Sequence, residues 1–172
     1  NNGRTALEDI ANLLGDLVEK SLVAVDTRGD VAVYRLLDMT RSFARRKLSE
    51  MGQTGEASRL HADYCLAVLK LAEASLGSMT ASDWLEKFRR SIDDVRAALA
   101  WARSADGHEQ CLMEMIAAAA PLYFQLALFH EFAEIASAAV KSSRPDSTSP
   151  SLALKINLAL SQAIGPIRGP VE

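Results

Sequence analysis

Three histidines, two cysteines and one pair of adjacent aspartates are the side chains best suited to chemistry in this 172-residue chain. His61, His108 and His130 read as single ligands without a second at helical spacing, and neither Cys65 nor Cys111 begins a Cys-x-x-Cys pair, so no zinc site is expected. Each histidine reads as a surface or half-buried packing residue. Asp93 and Asp94 are neighbours in sequence and so point to different sides of a helix. They suit a helix start better than a pair of carboxylates acting on one substrate. Neither a Gly-x-x-x-x-Gly-Lys-Ser/Thr phosphate loop nor a Gly-x-Ser-x-Gly elbow occurs. The chain therefore reads as non-catalytic, with no metal and no cofactor of its own.

Two further groups could bind instead of react. Arg41, Arg45, Arg46 and Lys47 make the strongest electropositive run. It could face nucleotide phosphates, nucleic acid or a neighbouring domain, or be a solvated helix face whose cations suit the C-terminal end of the helix. A net charge of −3 and a pI near 5.7 argue against nucleic-acid binding as the main property of the chain. The aromatics cluster as Trp84, Phe88 and Trp101, and as Tyr123, Phe124, Phe129 and Phe132. At helical spacing these fit a core. If they line a ligand groove, Tyr123 and Phe129 beside His130 are its more exposed candidates.

The elements that must position these residues turn on 21–48, where the apolar period changes from two to about 3.6. Leu22, Val23 and Val25 lead into Asp26-Thr27-Arg28-Gly29-Asp30, where the glycine can supply positive φ, and Val31, Val33 and Tyr34 return. From Leu36 the spacing of Leu36, Leu37, Thr40, Phe43, Ala44 and Leu48 predicts a helix, ended by Gly52. Before the hairpin, Thr5 and Glu8 form a capping-box pattern that predicts a helix over 5–20, whose polar face is acidic.

Beyond Gly55 the strand signals vanish. Helices are expected over about 57–76, carrying Leu60, Tyr64, Leu66, Ala67, Leu71 and Ala74, then from a Thr80 or Ser82 cap through Phe88, and after Ser91 through Ala102. Asp106-Gly107 breaks the pattern. Helices then follow over about 109–128 and 131–142, with a proline-bounded turn at 144–150. The last carries Leu152, Leu154, Ile156, Leu158, Leu160 and Ile164, and Gly165-Pro166 is expected to end it. Met113 to Leu128, the richest apolar stretch, is interrupted by Glu114, Pro121 and Gln125 and falls short of a membrane span. Both cysteines lie in apolar helical runs and suit buried thiols in a reducing compartment. The fold class is mainly α, a partial winged helix (helix, hairpin, helix) over 1–52 followed by a repeat-like helical array over 53–172.

Leu17 to Val23 and Tyr34 to Leu48 resemble the winged-helix end of the nucleotide-binding module in STAND/NB-ARC-type signalling ATPases, closest in pattern to bacterial ATPase transcriptional regulators. His61-Ala62-Asp63-Tyr64 and Asp93 to Ala102 resemble the opening of their tetratricopeptide-like helical region, so the likeness covers about 6–141. It implies a cytoplasmic excised fragment of a larger protein whose ATP- or ADP-binding core lies upstream. Asp38 and Arg41 become nucleotide-proximal candidates. Leu37 stands where many members place a phosphate-contacting histidine, and a leucine cannot make that bond.

The resemblance further implies a regulatory, protein-interacting role. Its partners would be the upstream nucleotide-binding domain, a protein or small-molecule inducer on the helical array, and DNA only through another domain. An open last helix could support a homodimer. The alternative is a winged-helix DNA-binding module with a helical dimerisation domain, in which Arg41, Arg45 and Arg46 would meet the phosphates.

Overall fold

The computed structural model describes residues 2–27, 32–104, 108–143 and 148–168, and the side chains of 9–27, 32–104, 108–143 and 148–165. The hairpin tip with Gly29, the Asp106-Gly107 break, positions 144–147 of the proline-bounded turn and the final four residues lie outside them. The chain divides into two compact units, Asn1–Ala57 and Ser58–Glu172. The fold is mainly α: a helix, a two-stranded antiparallel hairpin and a second helix, then an array of helices.

In the first unit α1 spans Asn2–Glu19. The expected cap at Thr5 is overturned, because the helix is already formed at Thr5. A capping-box pattern marks where a helix can begin, and the three preceding residues simply continue it. The helix ends with Ser21 at φ 56°, its N–H bonded to the Val18 carbonyl and that of Leu22 to the Leu17 carbonyl. This left-handed stop turns the chain into β1 (Val23–Asp26), which pairs with β2 (Val33–Leu36). Val23 opposes Leu36 and Val25 opposes Tyr34, so these four share one apolar face of the hairpin.

Leu36 belongs to the strand and not to the following helix, as its spacing had suggested. Leu37, at φ −65° and ψ 153°, is the N-cap of α2 (Asp38–Glu50). Gly52 closes α2 at φ +67°, with the Gln53 N–H on the Leu48 carbonyl. Among the described side chains of this unit Val23 is the buried hydrophobic one, and α2 buries none.

The second unit takes most of α3 (Thr54–Ala74), then α4 (Ala81–Phe88), a 3-10 turn at Arg89–Ser91, α5 (Ile92–Ser104), α6 (Glu109–Gln125), α7 (Phe129–Ser142) and α8 (Pro150–Arg168). α3 buries Ala62, Cys65, Leu69 and Ala72, not the face through Leu60, Tyr64 and Leu71, which stays exposed. The helix has apolar residues on two sides, and the stripe of smaller ones lets its neighbours approach. Its C-terminus is capped from a distance: the Trp84 indole N–H donates to the Ala72 carbonyl at 2.8 Å, and the Ser75 hydroxyl to Leu71 at 2.7 Å. Thr80 accepts the Asp83 N–H and caps α4, as its sequence suggests.

α6 is the centre of this unit. Met115 to Ala120 is an unbroken buried run, and Leu112, Met113, Leu122 and Tyr123 are buried too, the all-round pattern of a helix enclosed by others. Here α5, α7 and α8 pack against it. Pro121 sits inside α6. The expected stop at Gly165-Pro166 is overturned, since α8 runs on to Arg168. In the last turn of a helix a proline forfeits one hydrogen bond without having to break the chain direction. α8 buries Ile156, Ala159 and Ala163, leaving Leu154 and Leu158 exposed.

Candidate functional site

The basic run of α2 is built on its own helix. At the helix start the Arg41 guanidinium lies 3.5 Å from the Asp38 carboxylate and donates to the Leu36 carbonyl at 3.3 Å. The two nucleotide-proximal candidates are thus joined, the arginine folded back over the first turn. Lys47 reaches Glu50 at 2.6 Å and Arg46 reaches it at 3.6 Å, so one carboxylate offsets two cations. Both also sit over the Phe43 ring, Arg46 at 5.4 Å and Lys47 at 5.8 Å. Arg45 is exposed.

The same unit leaves several large apolar side chains uncovered. Ile10 and Leu13 on α1, Val25 and Tyr34 on the hairpin, and Met39 and Phe43 on α2 are all exposed, Met39 by 86%. Two helices and a two-stranded hairpin are too few to close a core, because a hairpin needs a third strand or a helix across its apolar face. Fully covering a side chain of this size is worth roughly 1.5–3 kcal/mol.

The aromatic candidates separate. Tyr123, expected to be exposed, is completely buried in α6 and packs on Phe132 with ring centroids 5.8 Å apart. Its hydroxyl lies 3.4 Å from Glu131. Phe129 is half-buried at the start of α7 and stacks on Phe124. Beside it His130 is exposed and pairs with Glu134 at 3.3 Å. A burial pattern on a helix is set by its neighbours, and α6 is surrounded where a surface helix would not be.

A polar network that the sequence did not single out joins α5 to α7. Arg96 donates to both oxygens of Glu131 at 2.7 Å, and to Asp93 at 2.9 Å. Arg96 pulls the Glu131 carboxyl below the usual carboxylate range, chiefly through the hydrogen bonds, and its own guanidinium is held charged. Burial, then Glu131, pushes the Tyr123 phenol well up, so it remains a donor. The partners are 35 residues apart in sequence, and no local spacing marks them.

His61 and Cys65 correct the reading of isolated ligands: they sit one turn apart on α3, with His61 Nε2 3.6 Å from the Cys65 sulfur and 3.8 Å from Asp94. The trio has the residue types of a nucleophile, base and orienting acid without the geometry. One ring nitrogen faces both partners, whereas a base must bond the thiol through one nitrogen and the acid through the other. Burial, with Asp94 adding to it, pushes the Cys65 thiol up to about 11, away from a reactive thiolate. Cys111 is half-buried and shifted in the same direction by burial. Among the described residues no group of three or more histidines, cysteines and acids could hold a metal ion, and no helix is long and apolar enough to cross a membrane.

Known proteins resemble part of the chain. A protein from each of two Mycobacterium tuberculosis strains and one from Mycobacterium bovis are 34% identical to it over 118 residues, 67% of this chain. Each carries the provisional name of HTH-type transcriptional regulator. The chain spans 13% of the length of these relatives. No family model matches it, and no solved structure does.

Proposed function

We propose that this chain is a non-catalytic regulatory and protein-interaction part of a bacterial ATPase-type transcriptional regulator of the STAND/NB-ARC kind. The observation that carries this reading is the first unit, whose apolar hairpin face and helix faces stay open while Val23 is buried. A surface of that composition gains stability only when another surface covers it. The partner in this reading is the nucleotide-binding domain of the same protein, with Asp38 and Arg41 at the edge that meets it. The relatives' names support a regulator, and their greater length leaves room for a phosphate loop and a DNA-binding domain elsewhere.

In this reading the second unit is a tetratricopeptide-like array that receives an inducer or a partner protein in the cytoplasm. Binding there biases a closed-to-open equilibrium of the whole regulator, with ATP or ADP held outside this chain. The test is nucleotide exchange in the full-length protein. Replacing Tyr34, Asp38 and Arg41 together should change the ADP release rate about tenfold or more. An unchanged rate and unchanged activation would sink the proposal.

The alternative, DNA binding by the first unit, has less support. The cations of α2 largely share carboxylate partners, and Asp9, Asp16 and Glu19 lie on the helix preceding the hairpin. A duplex DNA titration at low and moderate salt decides it. Saturable binding that weakens steeply with salt would favour the DNA reading.

A further inference from the structure

A cavity of about 330 Å³ opens between α3, α6 and α8 of the second unit, within the size range of small-molecule sites. Its hollow comes from small side chains, Ala117 and Ala120 on α6 and Ala159 on α8, with Leu76 and Phe124 as larger walls. Pro121 faces the same space. Having no N–H, it cannot supply the bond that the Ala117 carbonyl would otherwise accept one turn on. Ala117 itself is only 2% exposed and forms part of a closed apolar floor. At the rim Lys155 bridges α8 to α3, its ammonium 2.6 and 2.8 Å from the two Glu73 oxygens. The exposed amide side chains of Gln125 and Gln162 complete the lining.

We propose that this cavity binds a small, uncharged, largely apolar molecule. Two features set that chemistry. Both charges at the rim are already paired with each other, so a charged ligand would enter without a partner or at the expense of the Glu73–Lys155 bridge. The alanine floor calls for a flat apolar body. The site specifies the ligand class for the inducer-receiving role proposed above and rests on that reading for its meaning.

The test uses the whole chain and N-phenylnaphthylamine, an uncharged probe of two aromatic systems joined through one N–H. Saturable one-to-one binding with a fluorescence rise is expected. Gln162→Trp, which sets a ring over the mouth from an exposed position, should weaken it about tenfold, and Ala120→Leu in the floor should do the same. Phe43→Ser in the first unit should leave it unchanged.

No saturable binding, or binding that neither cavity variant weakens, overturns the site. Affinity that falls as protein concentration rises, together with a dimer in sedimentation, would assign the hollow and the nearby Leu154 and Leu158 to a second copy of the chain, which also overturns it. Binding as expected, with no effect of the same variants on nucleotide exchange in the full-length protein, would uphold the site and sink the regulatory reading instead.

Discussion

Arg96 grips Glu131 with two parallel hydrogen bonds of 2.7 Å, and this pairing ties α5 to α7. The Arg96 side chain is 40% and that of Glu131 32% exposed, so solvent screens the pair and limits its worth to about 1 kcal/mol. Because the folded-state pKa of Glu131 is depressed, its contribution is complete above the ordinary carboxylate pKa and is lost as pH falls through the lower folded value. Arg96→Met should therefore destabilise by about 1 kcal/mol at pH 7, and the gap from wild type should begin to narrow once pH falls below the ordinary carboxylate range and close only beneath the lower folded value. Urea melts at several pH values measure this. A gap that widens in acid would contradict the assignment.

Trp84 ties the end of α3 to α4 through its indole N–H. Ala72 is buried, and the Leu76 N–H, which would serve its carbonyl in a longer helix, bonds Glu73 instead. Trp84→Phe leaves that carbonyl unserved and removes ring volume beside Phe88, 5.1 Å away. A loss of about 2–4 kcal/mol is expected in chemical denaturation. A loss under about 0.5 kcal/mol would mean that water replaces the indole.

The two units should differ in local stability. With little buried in the first, opening β1 and β2 exposes little additional apolar surface, whereas opening α6 exposes most of the core. Amides of Ala24 and Tyr34 should exchange about a hundredfold faster than those of Met115 to Ala119. Similar protection would show that the first unit is covered in solution, for instance by a second copy.

Thiol chemistry gives an independent check on burial. Neither Cys65 nor Cys111 gains thiolate character, since burial raises both. With the protein folded at pH 8, a disulfide reagent should modify Cys65 more than about tenfold slower than a free thiol, with Cys111 between them. Denaturant should then release both. Immediate reaction of Cys65 would require a thiolate that His61 stabilises, contrary to the geometry found.

The switch of period places the hairpin and the helix after it to within a residue, with Leu36 on the wrong side, the helix before it rests on a separate capping pattern that misses its start, and the spacing of Val95, Ala98, Leu99 and Ala102 marks the inner face of α5. Those signals are local. The inner face of α3 was not readable, because Leu60, Tyr64 and Leu71 make as good a stripe as Ala62, Cys65, Leu69 and Ala72 until neighbouring helices choose between them. The same holds for Tyr123, whose burial depends on α6 being enclosed. Arg96 and Glu131 belong to helices far apart in sequence, and the cavity under Lys155 needs three helices at once. Arg41 and Asp38, named in the sequence only as separate candidates, lie three residues apart on one helix, and the structure joins them.

Ala127 closes α6 in the left-handed region at φ 56°, its N–H on the Phe124 carbonyl and that of Leu128 on Tyr123 at 2.8 Å. This stop sets the short turn into α7 and so holds Phe129 against Phe124. An alanine Cβ crowds the following carbonyl oxygen there, a cost of about 1 kcal/mol that glycine avoids. Against this, glycine adds backbone freedom to the unfolded chain, opposing by roughly 0.4–1 kcal/mol. Because Ala127 is exposed and its Cβ contributes little packing, the strain term should prevail. Ala127→Gly is expected to raise stability by up to about 0.5 kcal/mol in urea denaturation, while Gly52→Ala, introducing the same strain at φ +67° against the same entropy term, should lower it by up to about 0.5 kcal/mol. A destabilised Ala127→Gly protein would show that the turn is held by packing of the Ala127 methyl and not merely tolerated.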